Sequence, residues 1–184
     1  MFFINPFIYA GGGDFESIAT VTVGSGGASS IEFTSISSSY QHLQVRIIGR
    51  GTDTANTGGR YINVRFNGDS AGNYASHQLR GDGGSADASG FVSTAQIYGQ
   101  RMANGYLSTN VFGALVFDLL DYSSTSKNKT YRGVGGWDSN GSGQILVTSG
   151  AWFSTSAITS IAMTLESGNW AQYSTAALYG VKAP

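Results

Sequence analysis

Residues 42–49 read HLQVRIIG. On an extended chain Leu43, Val45 and Ile47 fall on one side and Gln44 and Arg46 on the other, because successive side chains of a strand point to opposite faces. This is the pattern of a half-buried strand, and it sets the reading of the rest of the chain. Residues 60–66 repeat it, with Ile62, Val64 and Phe66 inward. Upstream, 16–23 and 30–34 read as strands joined across Gly24-Ser25-Gly26-Gly27 as a hairpin. Downstream, 73–79 and 91–98 follow, separated by a glycine-rich loop at 80–90. Residues 106–120 form the longest apolar stretch and are expected to be the central strand of a sheet, with Gly113 at a bulge or bend. Residues 130–137, 143–153, 158–166 and 175–182 bring the total to about ten short strands. Single turns of helix are open at 34–40 and 123–127.

Composition points the same way. Of 184 residues 27 are glycine and only 11% are charged, against roughly a quarter in ordinary domains. The two prolines, Pro6 and Pro184, lie outside every one of these runs, so each is free to pair centrally. The expected fold is all-β: a two-sheet antiparallel β-sandwich of jelly-roll type with an extended N-terminal arm. Residues 1–14 are the arm and 15–184 the sandwich domain.

The net charge of −1 offers no basic stripe for a phosphate backbone and no polybasic patch for anionic lipid. Nucleic acid is therefore not an expected partner, nor is membrane insertion expected. Cysteine is absent, which excludes disulfides and thiolate chemistry.

Motifs for catalysis are weak. The only histidines, His42 and His77, are accompanied by no nucleophile elbow, and structural hydrogen bonding is the expected role of both. Asp118 and Asp121 are the one candidate acid pair, and their expected role is to end a strand and shape the following turn. Residues 138–143 echo the start of a calcium loop, but Ser149 stands where the bidentate acid is required, so a hairpin turn is expected there. No phosphate-binding glycine loop occurs. No enzyme activity, metal or cofactor is expected. Candidate recognition residues lie in loops: Arg80 and Asp82 in an Arg-Gly-Asp sequence, Asp138 and Asn140 in the turn just described, and Asn169 with Trp170 in a turn-rich segment suited to stacking on a sugar ring.

The N-terminal stretch MFFINPFIYAGGG makes the most specific demand. No Lys or Arg precedes Arg46, and Asn5 and Pro6 interrupt the apolar run, which argues against a secretion signal; its length is half that of a membrane helix. Pro6 favours an extended chain. Burying Phe2, Phe3, Ile4, Phe7, Ile8 and Tyr9 is worth roughly 1.5–3 kcal/mol each, against about 1–2 kcal/mol of backbone entropy per residue. The surplus is modest per chain and accumulates in a symmetric oligomer. Gly11, Gly12 and Gly13 are a hinge that lets this arm point away from the domain and dock on a partner.

Phe3-Ile4-Asn5-Pro6-Phe7-Ile8-Tyr9-Ala10 resembles the N-terminal INPY-type tag of structural proteins of tailed bacteriophages. Residues 15–24 and 39–46, and the ending Leu178-Tyr179-Gly180-Val181-Lys182-Ala183, are similar to virion proteins of phages of aquatic bacteria. The resemblance implies a non-enzymatic β-rich virion subunit on the particle exterior, forming a homo-oligomer, with a trimer favoured. It would be attached through its arm to other virion proteins, as a tail-fibre or tail-appendage subunit that contacts host surface glycans. The alternative it carries is a capsid decoration protein. From the residues alone, a free carbohydrate-binding module is a further alternative. Heptads and long β-helical repeats are absent from the sequence, which favours a short appendage over a shafted fibre.

Overall fold

The computed structural model describes residues 15–55 and 59–182. The expected arm and its glycine hinge lie outside the described residues. In chain order the strands are β1 (Phe15–Thr22), β2 (Ser30–Phe33), β3 (His42–Gly49), β4 (Arg60–Phe66), β5 (Tyr74–Gly81), β6 (Ala86–Thr94), β7 (Ile97–Met102), β8 (Gly113–Leu120), β9 (Lys129–Asp138), β10 (Gly143–Trp152), β11 (Ile161–Leu165) and β12 (Thr175–Val181). Eight of them form one sheet in the spatial order β1-β12-β3-β8-β9-β10-β5-β6, and four form a second, β2-β11-β4-β7. Every ladder between these strands is antiparallel.

The alternation explains the layering. Val45, Ile47 and Phe117 point inward from the larger sheet and meet Ile62, Val64 and Met163 from the smaller in one continuous apolar core. Two antiparallel sheets packed through such faces make the β-sandwich that the period-two pattern predicts. The narrower expectation of a jelly roll, an eight-stranded double Greek key, is not established by this eight-plus-four division. β8 holds the central place in the larger sheet expected for the long apolar run, and β1 and β12 bring the two ends of the domain side by side.

The hairpin expected across Gly24 to Gly27 does not form: β1 pairs with β12 in the larger sheet and β2 with β11 in the smaller. Three further differences from the sequence expectation have a local reason. Only the second half of 106–120 is a strand. The guanidinium of Arg50 donates to the carbonyls of Leu107 (2.8 Å), Ser108 (2.9 Å) and Val111 (2.8 Å), holding the first half as a loop over Trp137. The run 91–98 breaks between Thr94 and Ile97, where Thr94 Oγ1 donates to the Gln96 carbonyl and the chain passes from one sheet to the other. The expected loop at 80–90 is a hairpin: Arg80 lies in β5, paired with Asp87 in β6. Among the described residues no helix forms, and 34–40 and 123–127 are bends and turns.

Candidate functional site

The hairpin ends gather part of the expected recognition set. β10 lies beside β5, so the β5–β6 and β9–β10 turns are neighbours, and Asp82, Asp138 and Gly141 line one cleft of about 310 Å³. Asn140 and Gly141 have φ of 43° and 107°, and Ser139 N donates to Ser142 O at 2.7 Å. This is the two-residue Asn-Gly hairpin turn, in agreement with the turn expected there in place of a calcium loop.

The Arg-Gly-Asp tripeptide is not presented as a flexible loop. Arg80 Nη2 is 2.6 Å from Asp87 Oδ1, and Asp82 Oδ1 accepts from Gly84 N (3.0 Å) and Ser85 N (2.8 Å). Those donors, Ser85 first, hold the Asp82 carboxyl below the usual carboxylate range. Both side chains are committed to building their hairpin.

Trp170 corrects the sugar-stacking expectation. Its side chain is 0% exposed, its Nε1 donates to the Met163 carbonyl at 3.0 Å, and its backbone exchanges hydrogen bonds with Ala28. Turn-rich flanks place the backbone near the surface while the indole fills the core. Asn169 beside it is exposed, its backbone N–H donating to Thr52 Oγ1 at 2.9 Å. The two residues stand apart from the hairpin cleft.

Of the sequence candidates for catalysis, His42 and Asp121 come together, with Nδ1 3.7 Å from Oδ1. His42 Nδ1 accepts from the Asp121 backbone N–H at 3.0 Å, a structural role. Asp118 accepts from Gln44 Nε2 at 2.8 Å, while Asp121 pairs with Lys127 at 2.6 Å, so the two acids serve different partners. The ion pair that reading by motif missed is Asp53 with Arg60, 2.6 Å apart and mostly buried, reinforced by Ser167 Oγ at 2.8 Å. It ties the segment before β4 to the turn after β11.

The other missed feature lies on the outward face of the larger sheet. Register aligns Ile145, Gly136, Ala114 and Ile48 in one row across β10, β9, β8 and β3. The next row aligns Leu79, Val147, Val134 and Val116 across β5, β10, β9 and β8. Ile48 is 59% exposed, Leu79 57%, Val134 42%, Ile145 60% and Val147 50%. Between Ile145 and Ile48 only Gly136 and Ala114 intervene, so the surface dips into an open groove of about 770 Å³ with Phe112 and Trp137 at its end. The following row is polar, with Ser149, Arg132, Asp118 and Gln44 in register.

Contiguous exposed apolar faces of this kind mark interaction sites on proteins. Its signal stands in the sequence as runs apolar at consecutive positions, Ile47-Ile48, Ala114 to Phe117 and Ile145 to Val147, which is how strands covered on both faces read. The chain matches no protein-family model, no curated protein and no solved structure. Geometry of its own surface is therefore what bears on function.

Proposed function

We propose that this protein is a non-enzymatic structural subunit on the exterior of a tailed-phage particle, a short tail-fibre or tail-appendage subunit held among its neighbours by the N-terminal arm. The observation that carries this reading is the exposed apolar face of the larger sheet, which calls for assembly. Resemblance of the arm and of the two internal stretches to phage structural proteins supports the choice of particle. The hairpin cleft beside Asp82 and Asp138 is the surface offered to host glycans, because it is concave, carries Asp82, Asp138, Ser142 and Gln144, and is built at the end of a sheet.

Deleting residues 1–13 is expected to leave a folded sandwich that no longer joins the particle, read by circular dichroism of the purified chain and by immunolabelled electron microscopy of particles. A truncated chain incorporated at full occupancy would falsify the proposal. Labelling at the tail rather than over the head is the expected position, and hundreds of copies over the head would instead assign capsid decoration. On a glycan array, Asp138→Ala is expected to lower binding at least threefold while leaving the melting temperature unchanged.

A further inference from the structure

We infer that the groove on the outward face of the larger sheet is the socket for the N-terminal arm of a second copy of this chain. The inference rests on reading residues 2–9 as an attachment arm and supplies the partner that this reading leaves open.

Chemistry matches on both sides. The arm from Phe2 to Tyr9 carries no charged side chain, and six of its residues are large and apolar. Ile48, Ile145, Val134 and Val116 supply an uncharged lining. Of the two charged groups at the groove's margin, Arg46 is already occupied, its guanidinium lying 4.8 Å from the Tyr179 ring centroid and 5.6 Å from that of Phe15. Ile145 and Ile48 stand three strand spacings apart, about 14 Å, with Gly136 and Ala114 between them. That width admits one chain between the two isoleucines, and Val116 and Val134 in the next row close the dip along β8 and β9.

Chain direction selects a neighbour's arm over the chain's own. β1 is the edge strand and runs toward the groove end of the sheet, so the chain enters it at the opposite end: Phe15 is in register with Val181 and His42, six residues along β3 from Ile48. From Phe15 to the groove is on the order of 25 Å, or about eight extended residues. A chain folding back on itself would use Phe7, Ile8 and Tyr9 on the approach, over the polar row of Gln44, Asp118 and Arg132. Only Phe2, Phe3 and Ile4 would then reach apolar surface. An arm from a second copy spends none of its apolar residues on that approach, so Phe7, Ile8 and Tyr9 are free to lie on the apolar rows, and each copy both gives and receives an arm.

The absence of native cysteine makes the test direct. Full-length chain carrying Phe7→Cys is mixed with full-length chain carrying Val134→Cys under mild oxidation. A mixed disulfide dimer is expected at several times the yield obtained when the second chain carries Thr130→Cys, on the same strand and face but four residues away. In chain carrying both Phe7→Cys and Val134→Cys, high dilution is expected to leave the thiols unbridged. Equal yields from Val134→Cys and Thr130→Cys, or internal closure of the double variant at high dilution, would overturn the socket. By light scattering, Val134→Asp and deletion of residues 2–9 are each expected to turn the oligomer into a folded monomer. An oligomer that survives both changes also overturns it. Should the arm deletion abolish particle incorporation without any Phe7–Val134 bond forming, the socket falls and the virion role stands; the reverse pairing retains the socket and removes the virion role.

Discussion

Trp170 shows how little a residue's neighbours in sequence say about where its side chain goes. A Cβ added at Gly49 would lie 2.7 Å from Cζ3 of Trp170, so the glycine on β3 is the space into which the indole packs. Trp170→Ala is expected to destabilise the domain by about 3–5 kcal/mol, measured by urea unfolding, through loss of core rather than loss of ligand binding. Tyr74 gives a second residue-scale expectation. Its hydroxyl accepts from Phe66 N at 3.1 Å and donates to Asp69 O at 3.1 Å, and burial pushes its pKa up to about 12 from the ordinary value of 10.0. The unfolded chain therefore releases this proton first, so the associated stability is whole below pH 10 and is lost as pH rises from 10 toward 12. Unfolding midpoints measured across that window are expected to fall less steeply in Tyr74→Phe than in the unaltered protein. The mostly buried Asp53–Arg60 pair, like Tyr74's partners, was not legible beforehand, because its two members are separated by six residues and the distant Ser167 joins them only after the sheets pack.

At the scale of elements, strands with strict alternation were legible, and so were β1, β9 and β10 between their turn signals, but the first half of β6 was not. β3, β4 and β11 appear where Leu43 to Ile47, Ile62 to Phe66 and Ile161 to Leu165 place them. β6 reads ADASGFVST, with little period-two contrast, and exists because β5 offers it an edge to pair with. Strand formation there is a property of its neighbour more than of its own propensity. The Asn140-Gly141 turn was legible for the opposite reason: a type I′ two-residue hairpin needs positive φ at both positions, and that need is written in residue type. Gly141→Ala is expected to cost about 1–2 kcal/mol by chemical unfolding, since φ there is 107° and a Cβ would strain the backbone without touching other atoms.

For the whole molecule, the ladders join residues far apart in the chain: β1 pairs with β12 and β12 with β3, so the larger sheet closes only when the first and last strands meet. Such closure is entropically slow, and refolding is expected on the millisecond-to-second timescale, followed by stopped-flow tryptophan fluorescence. What the sequence by itself determined is where the alternating strands lie and which side of each is apolar, because a period of two residues is local stereochemistry. Turn positions follow equally locally, from glycine and asparagine. Tertiary structure alone decided that Trp170 belongs to the core, that Arg80 and Asp82 hold a hairpin together, and that Ile48, Ala114, Val134 and Ile145 stand side by side on one outward face. Those residues come from four strands lying between positions 48 and 145, and only the register between strands, which no single strand encodes, makes them a surface.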